Sequence, residues 1–232
     1  NQFKVNFNCN IENISKMKEE YYNVGAIFWK IDGITYRDNT KIIFGDNDKK
    51  CIGVVLMLNP GSCNARDESD IKEYKQTFRF KGANYLRLKR DSTQGKVAKC
   101  VKTAYNNHQL SRYVFIVNLS NRREPKQENL SKKDFTKSAE DIIKELEVEN
   151  KKQENEIRWI WIAFGKKYKG KDKEYITELQ DEIVKKLNEH ELFKYKIIGK
   201  SVQYIHPGQG FRGDNRESII REIGQKSHNS AI

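Results

Sequence analysis

The chain of 232 residues (27.3 kDa) is 37% hydrophobic and 33% charged, with three prolines, fourteen glycines and four cysteines. That composition excludes a collagen, a linker-dominated chain and a disulfide scaffold, and it fits one large domain. Forty-four Lys and Arg against 32 Asp and Glu give a formal charge of +12 and a pI near 9.4, which biases the chain toward polyanions such as double-stranded DNA.

The expected organisation is a single α/β domain over residues 1–232, with residues 1–50 as an N-terminal extension of strand and helix. Ala26–Ile31 and Lys41–Gly45 read as short strands joined through Tyr36–Asn39, a hairpin at a sheet edge. Ile52–Leu58 is a continuous apolar run that stops at Asn59-Pro60-Gly61. Similar runs are Tyr113–Val117, ending at Asn118, and Ile157–Phe164, ending at Gly165. A weaker pair, Tyr195–Ile198 and Val202–Ile205, closes at His206-Pro207-Gly208. Unbroken apolarity, rather than alternation, marks strands covered on both faces. Between them, 134–149 and 173–188 carry apolar residues at intervals of three and four, the stripe of an amphipathic helix, and a last helix is expected over 215–223. This alternation predicts a three-layer α/β/α domain around a largely parallel sheet of four or five strands.

Residues 66–110 read as a basic insertion. Lys72 to Lys102 holds ten Lys and Arg against Glu73 and Asp91, with Tyr74, Phe78, Phe80 and Tyr85 interleaved and Ser92–Gly95 expected as an exposed turn. Such a mixture suits phosphate contacts and stacking on bases, or local packing. Arg87, Lys89 and Arg90 belong to it. Arg122 and Arg123 follow the second apolar run and Lys166 and Lys167 the third, so a basic rim is expected at the strand ends.

In open α/β sheets ligands bind beyond the carboxyl ends of the strands. Asn59, Asn118 and His206 are therefore expected to converge on one cleft. Asp67 and Asp70 are the carboxylates nearest to the first motif, able to hold a water or to pair with Arg66 and Lys72. No P-loop, GxSxG elbow or Rossmann fingerprint is present, and the histidines and cysteines are too scattered for local metal-ligand spacing, so neither metal nor cofactor is expected. Amides, an imidazole and backbone donors suit a dissociative reaction such as N-glycosidic cleavage, in which the base departs with negative charge.

Val54–Ser62, Val117-Asn118-Leu119, Ala163-Phe164-Gly165 and His206-Pro207-Gly208 together resemble a bacterial domain family carrying an MLNPS segment and, more widely, the uracil-DNA glycosylase superfamily. The resemblance implies that fold and a DNA glycosylase that flips out and excises a non-standard or modified base, for example in foreign (phage) DNA. It implies that Asn59 positions the attacking water, that Asn118 reads the base beside Pro60 and Gly61, and that His206 stabilises the leaving base. Phe78 or Phe80 would stack on that base. The loop at Gln209–Gly213 would enter the minor groove, with Phe211 as wedge and Arg212 and Arg216 on the backbone. The chain departs from the pattern where Asn59 stands for an ionisable residue, since an amide cannot act as a general base. The iron–sulfur cysteine pattern is also missing. Alternatives are a non-catalytic nucleic-acid or nucleotide-binding module and a hydrolase of free nucleosides or nucleotides. A cytoplasmic monomer is expected, the cysteines lacking CxxC spacing. No membrane partner is expected, because no apolar stretch approaches about 18 residues, and the start of the chain does not read as a signal peptide.

Overall fold

The computed structural model describes residues 22–45, 50–74, 85–89, 91–106, 110–152, 157–165, 168, 170–199, 206–207 and 211–228. Strands β1 (Tyr22–Ile31) and β2 (Ile34–Phe44) form an antiparallel hairpin closed by Asp32 and Gly33, whose φ angles are both positive (50° and 74°). A two-residue loop of this kind matches the natural twist of paired strands, and Asp-Gly adopts it at little cost. The connection predicted at Tyr36–Asn39 is thus displaced. Those residues lie inside β2, where Arg37 and Asp38 are buried.

In chain order there follow β3 (Cys51–Met57), β4 (Glu73–Tyr74), β5 (Tyr85–Arg87), α1 (Ser92–Ala104), β6 (Arg112–Asn118), α2 (Ala139–Lys151), β7 (Trp159–Ile162), α3 (Lys173–Glu189), β8 (Ile197–Ile198) and α4 (Asp214–His228). The described residues form one eight-stranded sheet in the order β4-β1-β2-β6-β3-β7-β8, with β5 pairing β1. Strands β6, β3, β7 and β8 are mutually parallel. The expectation of a largely parallel sheet of four or five strands holds only for this block. Strand β2 pairs antiparallel with β6, so the N-terminal hairpin is built into a mixed sheet and is no edge appendage.

Both faces of the parallel block are covered, as its unbroken apolarity requires. On one face Ile52, Val55, Ile116 and Trp161 pack against Val97 and Val101 of α1 and Ile219 and Ile223 of α4. On the other, Val54, Leu56, Phe115 and Ile160 pack against Ile142 and Leu146 of α2 and Ile176 and Ile183 of α3. The layers are therefore helix, sheet, helix.

Helix α3 matches the predicted 173–188 closely, whereas α2 begins at Ala139 and not at 134. Ser138 and Asp141 close a capping box there, and residues 132–134 form a separate 3-10 turn. Helix α4 runs to His228, beyond the predicted 223. The larger correction is α1. Residues 92–95, expected as an exposed turn, are its first turn, because the Asp91 carboxylate caps the helix by accepting from the Gln94 amide at 2.8 Å. The strand expected at Val202–Ile205 lies outside the described residues. No helix among them is long and apolar enough to cross a membrane.

The hairpin turn gives a stability ranking. At Gly33 the space for a Cβ is open, so only the positive φ penalises a side chain. Gly33→Val should cost about 1–2 kcal/mol in urea unfolding, and Gly33→Asn distinctly less, because Asn tolerates the left-handed region.

Candidate functional site

The site is assembled where β3 and β6 run out. A cavity of about 280 Å³ opens there. The first loop lines it with Asn59, Pro60, Gly61 and Ser62, the loop after β6 with Pro125 and Gln127, and β2 with Arg37. Asp91 and the first turn of α1 form another wall, and His206 completes it. Two of the three polar residues expected to converge, Asn59 and His206, do share this pocket.

Asn59 is held in one orientation. It is 8% exposed, and its Nδ2 donates to the Glu124 carbonyl at 2.6 Å. With Nδ2 so engaged, Oδ1 is the carboxamide atom available to a ligand or a water in the cavity that Asn59 lines. His206 comes close to the backbone at Gly165: a Cβ built on Gly165 would lie 3.3 Å from the His206 Cβ, and Gly165 has a φ of 92°. Glycine is required there twice over, by contact and by conformation. Burial lowers the His206 pKa from its ordinary value and outweighs the opposing charge of Asp91, while Lys96 adds to the lowering. The imidazole is therefore neutral at pH 7, one nitrogen a donor and the other an acceptor.

Arg37 is 3% exposed. It donates from Nη2 to the Pro60 carbonyl at 2.7 Å and from Nη1 to the Cys63 carbonyl at 3.3 Å. These bonds fix the loop that carries Asn59. Burial pushes the Cys63 thiol up to about 11, against the pull of Arg37, a value that favours the protonated thiol at neutral pH. Among the described residues no group of three or more His, Cys, Asp or Glu side chains is placed to hold a metal ion.

Comparison with protein-family models, with curated proteins and with solved structures finds no match to this chain.

Other expected site residues lie elsewhere. Asn118 sits opposite Met57 in the sheet register but is fully enclosed and does not border the cavity. Asp67 and Asp70 are on an exposed 3-10 turn, and the carboxylate in the pocket wall is Asp91 instead. Phe211 is 4% exposed and packs against Trp161 with ring centroids 5.3 Å apart, so the ring expected as a wedge is a core residue. Arg212 is exposed, and Arg216 is partly buried beside Cys100. Arg122 pairs with Asp134 at 3.1 Å and with Glu124 at 3.6 Å, and Arg123 donates to the Asn64 side chain. These two cations therefore brace loops. Arg87 and Lys89, of the basic insertion, are exposed. Phe78, Phe80, Arg90, Lys166 and Lys167 lie outside the described residues.

Sequence reasoning missed Arg37, Asp91 and Gln94. The last two had a signal, an Asp followed three residues later by Gln at the start of an apolar-periodic run. Nothing local marks Arg37.

A group that is neutral in the folded state and protonated more readily in the unfolded one makes stability rise with pH. His206 should thus contribute stability above about pH 6.5, the ordinary histidine value, that is lost as pH falls below it. Urea midpoints measured from pH 7.5 down to 5.5 should fall more for the wild type than for His206→Asn. In Gly165→Ala the His206 ring resonances should titrate closer to the ordinary value.

Proposed function

We propose that the chain is a DNA glycosylase that accepts an extruded non-standard or modified base in the cavity between Asn59, Asp91 and His206. The observation that carries this reading is the joint placement of Asn59 and His206, 147 residues apart in sequence, on one pocket at the carboxyl ends of parallel strands. At about 280 Å³ the cavity is at the small end of ligand pockets, which hold roughly 300–1,000 Å³, and it suits a single base rather than a dinucleotide. The order of the four motifs in the sequence, which together resemble the uracil-DNA glycosylase superfamily, supports the same chemistry.

In this mechanism the base leaves the stack to enter the pocket. A water donates one hydrogen bond to Asn59 Oδ1. Asp91 accepts the proton as the water oxygen bonds to the anomeric carbon. The bond between that carbon and the base nitrogen breaks, and its electron pair leaves with the base. The neutral imidazole of His206 donates a hydrogen bond to the developing anion, which later takes up a proton. Asp91 thereby supplies the ionisable acceptor that Asn59 lacks. Exposed Arg66, Arg87 and Lys89, on segments joined by backbone bonds beside the first loop, supply phosphate contacts.

A second reading, hydrolysis or binding of a free nucleotide, is favoured by the burial of Phe211 and by the internal partners of Arg122 and Arg123.

Duplexes carrying uracil, hypoxanthine, 5-hydroxymethylcytosine or glycosylated cytosine, incubated with the protein and treated with alkali, should show strand scission at one of these bases. Asn59→Ala and Asp91→Asn should each reduce it by about 10²-fold or more. Scission at none of them counts against the proposal. Affinity for DNA should fall steeply between about 50 and 200 mM salt, whereas binding of a mononucleotide should change little over that range.

A further inference from the structure

Position 59 carries an amide where an ionisable residue is expected, and the loop after β6 supplies a local reason. Asn59 is 8% exposed, and its Nδ2 donates to the main-chain carbonyl of Glu124 at 2.6 Å. That carbonyl is fixed from three sides. Just before it, the Asn121 carbonyl and the Arg123 amide bond to Arg37 and Thr35 of β2 at 2.8 and 3.0 Å. Just after it, Pro125 confines residue 124 to extended backbone. The Glu124 carboxylate accepts from the Lys126 amide and from Asn129 Nδ2, both at 3.1 Å, and lies 3.6 Å from Arg122. An amide at position 59 meets the held carbonyl with a donor. A carboxylate in the same place would set oxygen against oxygen at a buried contact, where water cannot make good the mismatch.

We propose that Glu124 is the positioning residue of this cavity: its main-chain carbonyl demands a donor at position 59, so the amide there is an orienting group and no vestige of a general base. The demand for a donor stands on the hydrogen bond alone, whereas the orientation of a water by Oδ1 rests on the glycosylase reading above. The charged and titratable groups around position 59 are Arg37 on β2, Asp91 at the head of α1, His206, and Glu124 with its partner Arg122. Arg37 favours a carboxylate at 59 and Asp91 opposes one. The carbonyl in direct contact tips the balance against it.

The test introduces the carboxylate. A carboxyl that must donate to the carbonyl keeps its proton above the ordinary aspartate range, and a group whose folded value is raised loses its stabilising contribution as pH rises. The melting temperature of Asn59→Asp should therefore fall short of the wild type by about 3 °C more at pH 8 than at pH 5. Burial alone would act in the same direction, so the comparison is repeated on Glu124→Ala, in which the carbonyl is loosened. There the extra deficit should shrink by about half or more, while on Glu124→Gln, which keeps an acceptor for Lys126 and Asn129, it should persist. If Asn59→Asp folds at neither pH, exchange of the Asn59 side-chain amide protons with water decides: it should be about tenfold faster in Glu124→Ala than in the wild type. On DNA, base release by Asn59→Asp relative to the wild type should fall from pH 5.5 to 8, where a general-base carboxylate would make it rise. Glu124→Ala should lower kcat about tenfold with KM little changed, and Glu124→Gln should restore most of the loss. A deficit that does not widen at pH 8, one that is the same on Glu124→Ala, amide exchange unmoved by that substitution, or a relative rate that rises with pH would each overturn the proposal. Base release from none of the substrates, with the melting results as expected, leaves the demand for an amide standing and counts against the glycosylase reading alone.

Discussion

The candidate site depends on one buried guanidinium. Arg37 belongs to the N-terminal hairpin, yet its bonds go to the carbonyls of Pro60 and Cys63 in the loop after β3. A charge taken out of water must be hydrogen-bonded, and those carbonyls are the acceptors the fold provides. The consequence is mutual: the loop holds Arg37 in place, and Arg37 sets the position from which Asn59 reaches the cavity. The hairpin is therefore part of the site.

The residue after Arg37 performs a similar task elsewhere. Strand neighbours point to opposite faces, and Asp38 accepts from Asn121 Nδ2 at 3.2 Å and pairs with Lys137, which also binds Glu145 at 2.8 Å. The carboxylates of Asp38 and Glu145 raise the Lys137 pKa despite the opposing effect of burial. One dipeptide of β2 thus anchors the loop that carries Asn59 and, through Asp38, the segment after β6 that brings Pro125 and Gln127 to the pocket. Glu124 completes that segment, since its carbonyl holds Asn59 while its carboxylate accepts from Lys126 and Asn129.

The positive charge of the chain is spent in two ways. Arg122, Arg123 and Lys137 are committed to internal partners, so they organise the pocket walls more than they attract a polyanion. Arg66, Arg87, Lys89 and Arg212 remain exposed. The net charge of +12 already subtracts the acids that Arg122 and Lys137 meet, so internal pairing changes where the positive field lies and not its sum.

The sequence by itself determined the parallel block, the helices α2, α3 and α4, and the polar residues that end its apolar runs. Continuous apolar runs such as Ile52–Leu58 and helical stripes such as that of α3 are local patterns, and a chain can bury them in few ways. Asn59 and His206 were legible for the same reason, each ending a run before a proline. Only the tertiary structure decided which side chains share the cavity. Arg37 reaches it through a hairpin closed four residues earlier than the pattern suggested, and Gln94 and Asp91 reach it because α1 starts where a turn was expected. Asn118 is enclosed although its neighbour in the register, Met57, borders the cavity. Spacing along a strand fixes where a residue lies on the sheet, but whether its polar atoms meet open space is set by loops and helices packed from distant parts of the chain.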